Sequence, residues 1–229
     1  VPDHRPLPAT PETICQGGYP EPNRRTPRRA RQWYRQYLNA IIQRDVKDIA
    51  AIQDEDGMLR LMELLAYRTA SLLNVSTLSK ELGLERGTVT KYLSILERLF
   101  LIRQLPAWHR NQAKRLIKSP KLHLVDTGLA AGLGRLSPEQ WLTEAERFGA
   151  LLETHVVEQL MAQASWVEPE LRFSHYRDKD QVEVDLIIER GQALWGVEVK
   201  RSATVQSKDA AGLARLADQA DQQFQGGML

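Results

Sequence analysis

Asp185, Glu198 and Lys200 are the residues whose types and spacing best suit chemistry in this chain of 229 residues. Asp185 lies in 182–188 (VEVDLII), and Glu198 and Lys200 lie in 194–200 (LWGVEVK), two strand-like runs separated by a turn that contains Gly191. Antiparallel pairing across that turn places one carboxylate beside the other. Adjacent carboxylates repel unless a positive charge sits between them, and hard oxygen ligands suit Mg²⁺ or Mn²⁺. Side chains two apart on a strand share a face, so Lys200 points the same way as Glu198. An ammonium there can polarise a phosphate or position an attacking water.

An Asp followed by Glu-x-Lys resembles the PD-(D/E)xK signature of restriction-endonuclease-like nucleases. The pattern is short, and ordinary strand alternation also produces it. The resemblance implies a further acid on a preceding helix, and 148–162 (FGALLETHVVEQLMA) carries Leu151, Leu152, His155, Val156, Gln159 and Leu160 at helical spacing. Glu153, beside that stripe, is the candidate third carboxylate and metal ligand with Asp185 and Glu198; Glu158 replaces it if the helix is rotated differently. His155 reads as a packed or exposed helix residue rather than a ligand.

The elements around these residues divide by charge. Residues 61–125 hold eleven Lys or Arg against four Asp or Glu, whereas 126–229 hold ten against seventeen. A basic module suited to phosphate backbones therefore precedes an acidic one that needs cations before it approaches them. With 42% hydrophobic and 26% charged residues the composition is that of a globular protein, and no apolar run reaches a bilayer-spanning length. Cys15 is the sole cysteine, which excludes an internal disulfide framework. A cytoplasmic protein without membrane partners is expected.

In the basic block, 77–84 (TLSKELGL) and 85–99 (ERGTVTKYLSILERL) read as two helices broken at Gly83, a helix-turn-helix pattern. The second would expose Arg86, Thr88, Thr90 and Lys91 near its N-terminal end, where recognition helices meet a major groove. Strands at 100–105 and 121–126 flank 108–118 (WHRNQAKRLIK), so Arg110, Lys114, Arg115 and Lys118 would sit on a basic wing. DNA is the expected partner, although winged helices also serve as interaction modules. Amphipathic helices are expected over 31–52 and 58–73, with Asp56-Gly57 as the turn between them.

Together with 17–22 (GGYPEP), 37–49 and 110–129 (RNQAKRLIKSPKLHLVDTGL), these segments resemble the C-terminal two-thirds of prokaryotic AAA-type ATPases carrying domain of unknown function 4143. The resemblance implies an α+β protein: a helical winged-helix domain over 31–130, a linker over 131–147, and an endonuclease-like α/β domain over 148–229. Residues 1–30, with their arginine run, would be the tail of an ATPase domain or a flexible leader. No G-x-x-x-x-G-K-[ST] occurs, so ATP would act only through a P-loop ATPase domain outside this sequence. A second helix is expected over 207–224, with the last strand missing or reduced to a stub, an edge that a homodimer mate could cover. The functions these readings allow are a Mg²⁺-dependent phosphodiesterase on DNA, a non-catalytic interaction module of an ATPase, or a winged-helix transcriptional regulator.

Overall fold

A computed structural model describes residues 10–46, 54–111, 118–202, 204 and 206–229. The first helix, α1 (Thr10–Gln16), buries Ile14, and after a 3₁₀ turn at Pro22–Arg24 the chain enters α2 (Pro27–Ile41). Proline suits the first turn of α2 because its missing N–H is an orphan there anyway. Ala30, Tyr34 and Leu38, four apart, form the buried stripe of α2. Within residues 10–30, Ile14, Pro22 and Ala30 are buried.

The next helix, α3 (Glu55–Tyr67), is capped by Asp54, which accepts a 2.7 Å bond from the Gly57 amide. Asp56 and Gly57, expected as a turn, thus lie inside its first turn, because the capping carboxylate satisfies the amides that a turn would have left free. Strand β1 (Ser71–Leu72) precedes α4 (Val75–Leu82), which ends at Gly83 in a left-handed conformation, and α5 (Arg86–Arg98) follows. Two four-residue strands, β2 (Ile102–Leu105) and β3 (Lys121–Leu124), complete an antiparallel sheet in the order β1-β3-β2. Helix α6 (Thr127–Leu133), buried throughout, packs against α1, α2 and α3. Asp126 caps it by accepting from the Leu129 amide at 2.7 Å, and also accepts from the Gly18 amide at 2.6 Å. One core, including Tyr34, Leu61, Leu96, Leu124 and Leu129, unites this half.

The 23-residue helix α7 (Ala145–Val167) joins the two halves. Its Phe148 and Leu151 belong to the helical core, while Val157 packs with Leu105, Leu186 and Val197. Beyond it lies a four-stranded sheet of β4 (Arg172–Arg177), β5 (Glu183–Arg190), β6 (Ala193–Val197) and β7 (Phe224–Met228), in that order. The first three strands run antiparallel; β7 lies parallel to β6, reached through α8 (Ala211–Ala220). A mixed α/β architecture is the result, with eight α-helices among the described residues.

Two expectations change here. The final strand is present: Leu194 pairs with Phe224 and Val197 with Met228. Gly227 suits the close packing under α8, since a Cβ there would lie 2.9 Å from Leu213. The second correction concerns the basic wing. Trp108 is fully buried with Tyr176, Val184, Ile187, Leu213 and Leu216, in the core of the second half. Its amide donates to His175 O at 2.6 Å, and the His175 amide donates to Pro106 O at 2.9 Å. The start of the β2–β3 connection is thus docked on β4, because a large indole finds more apolar surface there than in solvent. Among the described residues no helix is long and apolar enough to cross a membrane.

Candidate functional site

The β5–β6 hairpin turns at Gly191, whose φ of +61° favours glycine, and pairs Arg190 with Ala193 and Leu186 with Val197. One step further along the same register, Asp185 comes opposite Glu198, as the spacing predicted. Glu198 and Lys200 lie just past the end of β6 rather than within it, but the Glu198 amide still donates to Met228 O of β7 at 2.9 Å. That bond fixes the backbone where the carboxylate emerges. Lys200 Nζ hydrogen-bonds Glu198 Oε1, so the expected same-face pair exists. Asp185 Oδ2 accepts from the Val199 amide at 2.9 Å, which ties the two strands at the site.

Glu153 of α7 joins them through a residue that sequence reasoning assigned no role. Lys121 Nζ lies 2.7 Å from Glu153 Oε1, 3.0 Å from Asp185 Oδ1 and 3.8 Å from Glu183 Oε2. Lys121 is only 3% exposed. It sits on the central strand β3, where all four residues are buried, so its ammonium must find partners inside the protein. Burial works against its charge, yet Glu153 and Asp185 hold its pKa above the ordinary lysine value. Lys121 follows Lys118-Ser119-Pro120 in the basic block, where composition does not set it apart from its neighbours. The signal available was its alternation with His123 in an otherwise apolar strand.

Glu153, Glu183, Asp185, Glu198 and Lys200 line one cleft of about 640 Å³, together with Arg201 and Lys208. Lys121 lies behind the carboxylates and does not line it. Burial, then the neighbouring Asp185, push the Glu198 carboxyl up to about 7, partly offset by Lys200. Burial followed by Asp185 raises Glu153 too, against the pull of Lys121. Glu198 Oε2 is buried without a hydrogen-bond partner. A carboxylate oxygen in that condition suits a proton or a hard cation.

Among the described residues, no group of three or more Asp, Glu, His or Cys side chains is arranged to hold a metal ion. Lys121 bonds one oxygen each of Glu153 and Asp185. Asp185 and Glu198 both line the cleft, where the Val199 amide bonds Asp185 Oδ2 and Lys200 bonds Glu198 Oε1. Glu158, the alternative acid, faces elsewhere and pairs with Arg103 at 2.8 and 3.1 Å. His155 is half-buried, and burial lowers its pKa. A polar seam backs the cluster: His123 Nδ1 meets Thr154 Oγ1 at 3.1 Å, and Thr154 Oγ1 meets Thr69 Oγ1 at 2.9 Å.

The candidate DNA contacts are dispersed. Arg86, Thr90 and Lys91 are exposed at the start of α5, and Thr88 is half-buried there. Thr90 Oγ1 donates to Arg86 O at 2.9 Å, so its hydroxyl is already engaged. Arg110 is exposed, but it lies with Gln192, Ala193 and the segment before β7. Lys118 Nζ donates to Arg177 O at 3.1 Å, which pins this end of the connection to β4. Lys114 and Arg115 lie outside the described residues.

Comparison with known proteins agrees with this division of the chain. Residues 148–229 match domain of unknown function DUF4143, a domain found in AAA-ATPase-associated proteins. Two curated relatives are an uncharacterized protein of Mycobacterium bovis, Mb2031c, and an uncharacterized protein of Mycobacterium tuberculosis, Rv2008c. Each is 29% identical over 172 residues, covering 75% of this chain and 38% of the relative. The chain thus spans well under half the length of the curated relatives it matches. Over residues 8–140 it matches the model of domain of unknown function DUF8612, and it belongs to that family.

Proposed function

We propose that the cleft is a phosphodiester-cleaving centre that acts on DNA with Mg²⁺ or Mn²⁺, and that the helical half supplies the DNA contacts. The observation that carries this reading is that Asp185 and Glu198 line one cleft, with Lys200 on Glu198 and a buried carboxylate oxygen left without a partner. The order of α7, three antiparallel strands, α8 and a parallel fourth strand supports an endonuclease-like PD-(D/E)xK domain. In the helical half, α3, β1, α4, α5, β2 and β3 follow one another as a winged helix requires.

Asp185 and Glu198 would hold the cation, which supplies Lewis-acid polarisation of a phosphate oxygen when bound. The remaining work falls to side chains already in place. Lys200 lines the cleft and carries the positive charge that stabilises a phosphate gaining negative charge. Lys200 also hydrogen-bonds Glu198 Oε1 and so fixes that carboxylate where it would meet the cation. The Val199 amide donates to Asp185 Oδ2 and fixes the orientation of that carboxylate. Lys121 pairs with Glu153 and Asp185 from behind and keeps these two acids together.

A second reading has its own observation. Lys121 already supplies the charge that a third ligand position would need, which fits a nuclease-like fold retained to grip DNA or a partner without cutting it. A nicking assay on supercoiled DNA with graded MnCl₂ separates the two: cleavage that disappears in Asp185→Ala supports catalysis. Binding of DNA without cleavage at any Mn²⁺ concentration supports the second reading. Coupling to an ATPase, as the resemblance implies, would add control of either activity by a part of the protein outside this chain.

A further inference from the structure

The arginine run that precedes α2 has no role in the acidic cleft, yet three arginines continue along one face of that helix. Arg28, Arg31 and Arg35 are spaced three and four residues apart, so they form a single ridge. Across from them stands Arg135, which follows α6. These four line a cleft of about 460 Å³ together with Gln32 and Gly132. None of the four guanidiniums makes an ion pair with a carboxylate among the described residues; Glu139 is near enough to Arg31 to feel its charge but not to bond it.

Arg135 occupies a position that ordinarily falls to glycine. The Leu136 amide donates to Ala131 O at 2.9 Å and the Gly134 amide to Ala130 O at 2.8 Å, the closing bonds of a helix C-terminus. The residue between them takes a left-handed conformation, and here it is Arg135 with φ of +54°. Glycine adopts that conformation freely, whereas a residue with a Cβ is strained. The chain nevertheless carries an arginine there, directed at a cleft that already holds three others. Four cations around one concavity repel one another, and planar guanidinium forks match phosphate oxygens two at a time.

We propose that this cleft binds a small polyphosphate anion, recognised through its phosphates by Arg28, Arg31, Arg35 and Arg135. No aromatic side chain lines the cleft, so a base has nothing to stack on, and the chemistry selected is the phosphate chain itself. The source is either a free inorganic polyphosphate or the phosphate tail of a nucleotide. The site is separate from the acidic cleft and does not depend on its activity.

Isothermal titration of the 229-residue chain with inorganic triphosphate, with ATP, and with a short DNA duplex tests the assignment. Triphosphate should bind, and Arg135→Gly should weaken it at least tenfold while leaving the melting temperature unchanged or raised, since glycine suits the backbone there. Arg35→Gln should weaken it comparably. Equal affinity for ATP and triphosphate identifies phosphate recognition alone; ATP binding more than tenfold tighter identifies a nucleotide as the source. Absence of triphosphate binding at millimolar concentration would overturn the proposal, as would unchanged affinity in both variants. Loss of duplex binding in these variants without any triphosphate binding would overturn it as well, and would assign the cleft to DNA.

Discussion

Lys121 Nζ donates to Asp185 Oδ1 at 3.0 Å, so the basic half of the chain inserts a buried cation into the acidic half. The two halves are therefore joined by charge at the candidate site itself. Removing one partner of a buried pair leaves the other uncompensated, at a cost of about 3–5 kcal/mol. Lys121→Met should lose stability on that scale in urea unfolding. It should also regain more of that loss on addition of MgCl₂ than the wild type gains, because Glu153 becomes free to serve as a third oxygen ligand. An equal response of both proteins to MgCl₂ would separate Lys121 from the cation site.

His175 gives the seam between the halves a dependence on pH. Burial, then Lys121, lower its pKa to about 4, while its ring Nε2 lies 3.2 Å from Ser119 O. Above the ordinary histidine value near 6.5 the ring is neutral both folded and unfolded. As pH falls from there to about 4 the unfolded chain takes up a proton that the folded one refuses, and stability declines. The loss is on the order of 3 kcal/mol for this group and stops below its folded pKa. His175→Gln should flatten that part of the stability profile relative to wild type, read by denaturant unfolding at stepped pH. Parallel profiles would show that the ring titrates normally.

Trp108 anchors the β2–β3 connection in the core of the second half. Trp108→Ala should destabilise by about 3–5 kcal/mol, as large-to-small changes at buried aromatics do. Limited proteolysis should then cut near 108–111 faster than in the wild type. A free wing would predict little change in either measurement.

The local elements and the hairpin of Asp185 and Glu198 were legible in sequence because each depends on short-range signals. Gly83 breaks α4 from α5, Gly191 turns β5 into β6, and alternation places Glu198 and Lys200 on one face. What escaped were long-range choices. Nothing local tells that Lys121 meets Asp185 sixty-four positions away, or that Trp108 belongs to the second core rather than to a solvent-exposed wing. The VDTGL motif was visible, but its reason was not. A Cβ at Gly128 would lie 2.4 Å from Gln16 O, so this glycine lets α6 approach the end of α1. Arg135 carried a positive φ that no pattern of neighbours announced.

Under the proposed reading, exposed Arg86 and Lys91 at the start of α5 contact the DNA phosphates. Changing either to Gln should weaken duplex binding without altering stability. Each should also reduce the slope of log affinity against log salt by about 0.9. A slope unchanged in both variants would move the DNA contact to another surface.

The most direct test of the central claim is the rate at which this chain nicks supercoiled DNA in MnCl₂, compared with Asp185→Asn and Glu198→Gln. The account predicts Mn²⁺-dependent nicking by the wild type that falls by about 10²-fold or more in each variant, with folding intact by circular dichroism. Nicking that persists equally in both variants, or folded wild-type protein that binds DNA but never cuts it, would contradict the assignment of Asp185 and Glu198 as a catalytic pair.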